Sequence, residues 1–140
     1  APEEINLAAI EEFRSEVHGR WVATLYPLLD TGFTLESAPD AKIDGEAASV
    51  VKVSARFRPD VLLYFNKKTG LLMKAAYRAS EGGTLVRKEH VFGDYKKFDG
   101  ILLPSTVSDY LNGKKATQYT IKSYKFVERI GGDPFTKPEK

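Results

Sequence analysis

The side chains that most often perform catalysis or bind metals are sparse in this sequence. It contains no cysteine, and its only two histidines, His18 and His90, lie far apart in the chain. The lack of cysteine excludes disulfides, zinc–thiolate sites and cysteine nucleophiles. Two distant histidines do not form a local metal-binding motif. We therefore expect His90 to be a half-exposed strand residue and His18 to be solvated, off the apolar side of a helix.

The motifs of common enzyme classes are also missing. The sequence has no glycine-rich phosphate loop, no His-Glu-x-x-His and no Gly-x-Ser-x-Gly elbow. Asp94 and Asp99 could form a carboxylate pair, but each adjoins a glycine in a turn, where Asp is favoured for backbone reasons. The sequence thus predicts a protein that is not an enzyme, with no catalytic residues, no metal site and no cofactor.

The overall charge is nearly balanced. There are 21 Lys and Arg against 19 Asp and Glu, for a net charge of +2, which argues against a nucleic-acid partner. No apolar run approaches the roughly 20 residues of a transmembrane segment. Lysine pairs at residues 67–68, 96–97 and 114–115 fall in turns. We interpret these pairs as solubilising loop tips rather than contacts with anionic lipid.

Apolar surface is the remaining feature that could serve a function. Residues 61–65, 71–73 and 101–103 are apolar on both faces of their strands. Either a helix and the tail cover both faces, or the sheet bends and its concave side encloses an apolar cavity. The residues expected to line such a cavity are Trp21, Leu62, Tyr64, Leu72, Val86, Phe92 and Leu102.

A helix followed by strands must position these residues. Apolar residues at helical spacing form one stripe that we expect to face the sheet: Ile10, Phe13, Val17, Trp21, Leu25 and Leu28. Gly19 and Pro27 predict a kink or break between residues 19 and 27.

From Phe33 onward the apolar pattern has period two, with turns at Asp44-Gly45, Gly82-Gly83 and Asn112-Gly113. We expect an irregular link between residues 93 and 100, and a last strand from Ala116 to about Val127. Pro104 indicates an edge position or a bulge. The sequence predicts one α+β domain over residues 1–140, in which about seven antiparallel strands form a curved open half-barrel around an N-terminal helical segment.

Several segments resemble the LolA-like superfamily of bacterial envelope proteins. Residues 64–74 resemble its strand–turn–strand, and residues 95–104 match a Tyr-x-x-x-Asp-Gly-Ile-x-Leu-Pro pattern. Residues 27–33 and 133–138 are similar to its helix-to-strand passage and its terminal Phe-x-x-Pro. The resemblance implies a half-closed barrel plugged by helices. Family members carry further strands ahead of the helices, whereas only about 30 residues precede the first predicted strand here, so we expect either an incomplete barrel or a chain that begins inside a longer protein. The carrier's lipid-gating arginine has no assignable position here.

The resemblance and the two-sided apolar strands together suggest a function. We expect an exported protein of the periplasm or cell envelope, whose leader is not present in this chain. Its concave sheet would hold an apolar ligand such as an acyl chain or a lipoprotein, with an envelope protein as a further candidate partner. The alternative is a structural or protein-interaction module with a fully packed core and no ligand.

Overall fold

The structure, a computed structural model, describes residues 6–126. In this part of the chain, helix α1 (Leu7–Ala23) and a short 3-10 helix (Tyr26–Leu29) precede the strands. The strands are β1 (Phe33–Ile43), β2 (Glu46–Ala55), β3 (Val61–Asn66), β4 (Leu72–Glu81), β5 (Thr84–Phe98), β6 (Ile101–Leu111) and β7 (Lys114–Thr120). None of the helices described is long and apolar enough to cross a bilayer.

The seven strands form one antiparallel meander in chain order. The sheet is curved and does not close into a barrel, and the helix lies N-terminal to it, which confirms the predicted α+β half-barrel. Four of the hairpins turn on two residues with positive φ, the geometry of a tight hairpin turn: Asp44-Gly45, Gly82-Gly83, Asp99-Gly100 and Asn112-Gly113.

Strand boundaries differ from the expectation at two places. β5 runs without interruption from Thr84 to Phe98, so the predicted irregular link is wrong. The reason is that Asp99-Gly100 forms a tight turn, and pairing continues to Phe98 opposite Ile101. β7 ends at Thr120, well short of Val127, which lies outside the described residues, as does the stretch 133–138.

Pro104 lies in an interior strand, at a position where the sheet does not require a backbone N–H donor. β6 lies between β5 and β7. However, β7 pairs with β6 only from Thr106 onward, so the sheet is already at its edge beside Pro104. A proline is tolerated there because no ladder hydrogen bond is lost.

Helix α1 contacts the sheet through a different face from the predicted one. His18, Gly19 and Val22 are its buried residues, whereas Phe13 is 68% and Trp21 46% exposed. The predicted apolar stripe is therefore wrong as the packing face of α1, although Leu28 in the 3-10 helix does pack against the core. The predicted break between residues 19 and 27 is confirmed, because the helix continues through Gly19 but ends at Ala23, and Leu25 has a φ of 66°.

Close approach of the helix to β4 explains why a glycine lies in its interior. A Cβ on Gly19 would lie 2.2 Å from Cε1 of Tyr77. Only a residue without a side chain lets the helix backbone rest on that ring. The core accordingly joins Val22 to β2, β3 and β4, and its remaining members are Val53, Val61, Leu63, Leu72, Ala75, Tyr77 and Ala79.

Candidate functional site

A cavity of about 540 Å³ lies between the C-terminal end of α1 and strands β4 to β7. Most of its wall is aliphatic or aromatic, and the apolar residues that form it are Ala23, Leu25, Leu71, Leu72, Phe92, Leu102, Leu103, Pro104, Val107, Ile121 and Phe126. Arg20, Thr24, His90 and three tyrosines supply polar groups at its margins. Such a space accommodates the apolar part of a small ligand.

Strand register brings the central wall residues together. Phe92 of β5 lies opposite Val107 of β6, and Val107 lies opposite Tyr119 of β7. Directly paired residues in antiparallel strands project from the same face of the sheet. These three side chains therefore form a continuous patch on the concave face, next to the C-terminal end of α1.

Hydrogen bonds from two tyrosines fix the far wall. The Tyr95 hydroxyl donates to the carbonyl of Leu72 at 2.5 Å, and the Tyr124 hydroxyl donates to the carbonyl of Pro104 at 2.6 Å. The ring of Phe98 packs edge-on against Tyr124, with 4.7 Å between ring centroids. Burial raises the pKa of Tyr95 to about 12, so its hydroxyl stays neutral at ordinary pH.

A buried polar network forms another part of the wall. The Tyr77 hydroxyl lies 2.9 Å from Nε2 of His90, and Nδ1 of His90 lies 2.6 Å from Oδ1 of Asp109. The His90 side chain belongs to both the network and the cavity wall, and the residue is only 3% exposed. The expectation of a half-exposed His90 is therefore wrong.

The electrostatics of the network favour a neutral imidazole. Burial lowers the pKa of His90 and outweighs the opposing hydrogen bond to Asp109. Burial would raise the pKa of Asp109, but the hydrogen bond from His90, together with the hydrogen bond and positive charge of Arg20, lowers it overall. A neutral His90 then donates from Nδ1 to the Asp109 carboxylate and accepts from Tyr77 at Nε2.

The Tyr77–His90–Asp109 chain resembles a nucleophile–base–orienter array in outline only. Burial raises the pKa of Tyr77, so its hydroxyl remains protonated and serves as a hydrogen-bond donor. An activated nucleophile would instead need a lowered pKa or an accessible base. The arrangement is that of a satisfied buried polar network.

Ion pairs extend this network to helix α1. Arg20 contacts Oδ2 of Asp109 at 3.1 Å and Oε1 of Glu16 at 3.3 Å, and Lys88 contacts Oε2 of Glu16 at 3.3 Å. Arg20 also lines the cavity. The network thus ties α1 to β5 and β6 along one margin of the cavity.

Three of the seven residues predicted to line one cavity do line it, and four lie elsewhere. Leu72, Phe92 and Leu102 line it. Leu62 and Tyr64 lie in a different depression, and the Tyr64 ring is covered there by the ammonium group of Lys74 at 4.4 Å. In β3 they alternate with the buried Val61 and Leu63, which places them on the other face of the sheet.

The last two predicted residues also lie outside the cavity. Val86 lines a shallow surface depression with Arg78 and Arg87. Trp21 is half exposed and packs edge-on against Phe33, with 5.8 Å between centroids. His18, expected in solvent, is 6% exposed and stacks on the same Phe33 ring at 6.3 Å, so that expectation is wrong too.

Several wall residues were not foreseen from the sequence: Arg20, His90, Tyr95, Val107, Ile121 and Tyr124. One sequence signal does point to the network of His90 and Asp109. A two-residue hairpin turn at Asp99-Gly100 sets a strand register that places His90 opposite Asp109.

Within residues 6–126, no group of three or more His, Asp or Glu side chains is arranged to hold a metal ion. Comparison of the chain with protein-family models, with curated proteins and with solved structures gave no match.

Proposed function

We propose that this protein binds an apolar ligand, such as the acyl chain of a lipid or lipoprotein, in the cavity between α1 and strands β4 to β7. The observation that carries the proposal is a space of about 540 Å³ whose wall is mainly aliphatic and aromatic. Ligand sites in proteins have volumes of roughly 300 to 1,000 Å³ and similar linings.

Burial of apolar surface would provide most of the affinity. Each Å² removed from water contributes about 25 cal/mol, from which the cost of ordering the ligand is subtracted. Arg20 is the cationic side chain in the wall, but Asp109 and Glu16 already pair with it. A ligand without an anionic headgroup therefore gives up little binding free energy at Arg20.

The bacterial cell envelope and a non-enzymatic role belong to the same proposal. Both are supported by the sequence resemblance to LolA-like proteins and by the open half-barrel with a helix on its concave side. In that setting the ligand is the lipid part of an envelope component.

A second candidate function is supported by the outer face of α1. Phe13, Val17 and Trp21 follow one another at intervals of four residues and are 68%, 47% and 46% exposed. An exposed apolar stripe of this kind is typical of a surface that contacts another protein. This feature favours an interaction module, for which the cavity would have no role.

A fluorescent fatty acid titrated into the purified protein distinguishes the two functions. We expect saturable binding, and we expect Val107→Phe to weaken it by roughly tenfold or more, because the larger ring fills the cavity. The matched control is Val91→Phe, since Val91 neighbours Phe92 in β5 and projects from the opposite face.

Binding to the wild-type protein that Val91→Phe and Val107→Phe reduce equally would contradict the assignment to this cavity. Absence of saturable binding to the wild type would leave the interaction module as the better account of the molecule.

A further inference from the structure

The mouth of the cavity carries a group of outward-facing apolar residues. Leu25, Leu102, Tyr119 and Phe126 all line the cavity, yet they are 37%, 44%, 43% and 46% exposed. We call these four residues the cavity rim. They come from the link between α1 and the 3-10 helix, the start of β6, the end of β7 and the segment after it, so the rim draws on several separate elements at one opening.

Lysines accompany the rim. Lys96 and Lys97 lie within β5 and not in the turn that the sequence suggested. They project from opposite faces of the strand, and each lies opposite a cavity-wall residue of β6, Lys97 opposite Leu102 and Lys96 opposite Leu103. Lys122 follows Ile121, a wall residue, and Lys125 lies between Tyr124 and Phe126. All four lysines are exposed.

The lysines beside the rim have no ion-pair partner among residues 6–126. In the described part of the chain, no ion pair involves Lys96, Lys97, Lys122 or Lys125, although most other basic side chains near the cavity are paired. The acidic residues in the same stretches are Asp94 and Asp99, so the lysines outnumber them. Counted over the residues that the structure describes, the mouth of the cavity thus combines apolar side chains with excess positive charge.

We propose that the cavity rim and its four lysines form a docking surface for an anionic lipid bilayer. The apolar rim residues enter the interface, where tyrosine is favoured, and the lysine stems lie along them with their ammonium groups at the phosphates. Each lysine near an anionic membrane surface strengthens association severalfold. The cavity mouth then faces the lipid.

The stripe on α1 is a poorer candidate for this contact. Phe13 and Val17 are exposed, but the basic side chains beside them are engaged with Glu11 and Glu16: Arg14 and Arg58 pair with Glu11, and Arg20 and Lys88 pair with Glu16. This surface therefore offers little unpaired positive charge to anionic headgroups. The distribution of charge therefore favours the cavity rim over the α1 stripe as the membrane-docking surface.

The docking inference goes beyond ligand binding and does not depend on it. Transfer of an acyl chain directly between bilayer and cavity would rest on the proposed function, whereas association with the surface requires only the rim and the lysines. Experiments can therefore contradict ligand binding and membrane docking independently of each other.

Vesicle flotation tests the docking surface. We expect the full chain to float with vesicles of equal phosphatidylcholine and phosphatidylglycerol, and to remain unbound with phosphatidylcholine alone. Lys96→Gln/Lys97→Gln and Lys122→Gln/Lys125→Gln should each lower partitioning by roughly tenfold or more. Leu102→Ser/Phe126→Ser should also lower it.

The matched control is Lys114→Gln/Lys115→Gln, which removes the same charge at the hairpin on the other end of β6. Equal loss with this control, equal binding to both vesicle types, or no binding to anionic vesicles would each overturn the proposal. Val107→Phe tests ligand binding separately from membrane docking, because it should weaken fatty-acid binding by roughly tenfold or more and leave flotation unchanged.

Discussion

The concave face of the sheet has two halves that differ in how they are covered. Over β3 and β4, helix α1 packs directly on the sheet, and Val22, Val53, Val61 and Leu63 are fully buried. Toward β5, β6 and β7, the same face borders a cavity of about 540 Å³. Both halves are apolar, so composition does not account for the difference.

The position of the helix accounts for the difference. Gly19 lets α1 approach the Tyr77 ring in β4, and the left-handed conformation of Leu25 turns the chain away soon after Ala23. The helix therefore ends before it covers the wall made by Phe92 and Val107. The cavity beside β5 to β7 is therefore open because α1 ends early, and not because its lining differs in composition from the packed half.

Gly19→Ala should have the largest effect on this arrangement. The new methyl group would lie 2.2 to 2.6 Å from three atoms of the Tyr77 ring, which is 3% exposed and hydrogen-bonded to His90. We expect a loss of about 3 kcal/mol in the free energy of unfolding, in spite of a gain of about 1 kcal/mol in helix propensity.

Urea denaturation measures this change. Gly32→Ala is the control, because no atom lies within 4 Å of the position of a Cβ there. It should change stability by less than about 0.5 kcal/mol. A stable Gly19→Ala protein would mean that the helix does not rest on Tyr77.

A pair of valine truncations compares the halves directly. Val61 is 0% exposed in the packed half, and Val107 is 4% exposed at the cavity. We expect Val61→Ala to lower the free energy of unfolding by about 2 to 3 kcal/mol, since it creates a new void. Val107→Ala enlarges an existing space, so it should cost less than about 1 kcal/mol.

Both variants can be measured by urea denaturation under one condition. Because the two side chains are the same and similarly buried, a difference in the loss of stability reflects how tightly the residues around each valine are packed. Equal losses would show that the half beside β5 to β7 is as well packed as the other.

The sequence predicted the sheet well because its signals are local. Alternating residues, as in β2, and turns such as Asn112-Gly113 fix strands and hairpins over a few residues. The helix face was mispredicted because apolar periodicity favoured the side with Phe13 and Trp21. The actual contact depends on the small size of Gly19, which is unfavourable by propensity alone.

The cavity wall was only partly predictable, because it depends on relations between distant segments. Leu72 and Leu102 were identified from two-sided apolar strands, and Phe92 was predicted together with them from a neighbouring strand. His90 and Asp109 meet only through the register of β5 and β6. Arg20 joins them only because of the position of α1, for which the sequence has no local signal.

Tyr77→Phe tests the polar network on the border between the halves. The variant keeps the ring beside Gly19 but removes the hydroxyl that donates to His90. A buried acceptor without a partner costs about 1 to 3 kcal/mol, and we expect a loss near the middle of that range in the free energy of unfolding.

Tyr110→Phe is the matched control, because its hydroxyl has no hydrogen-bond partner among residues 6–126. It should be close to neutral by thermal or urea denaturation. If Tyr77→Phe is equally neutral, the network does not stabilise the border.

Acidification acts on both halves of the concave face through the two buried histidines. Burial lowers the pKa of His18 and of His90 below the ordinary value of 6.5. Below pH 6.5 the unfolded chain therefore binds protons that the folded chain does not. The free energy of unfolding falls as the pH drops toward the folded pKa values, by at most about 1.4 kcal/mol per pH unit for each histidine.

His18→Phe separates the two contributions. The variant removes Nε2, which is buried without a hydrogen-bond partner, but it also removes the hydrogen bond between His18 and the Pro59 backbone, so stability at pH 7 should change by less than about 1 kcal/mol. It should also reduce the pH dependence between pH 6.5 and 5, where Asp109 and Glu16, whose pKa values are lowered, remain ionised. Urea denaturation across this range measures both effects. A wild-type stability that rises on acidification would contradict neutral, buried histidines, because a group with a lowered folded pKa can only lose stability in that direction.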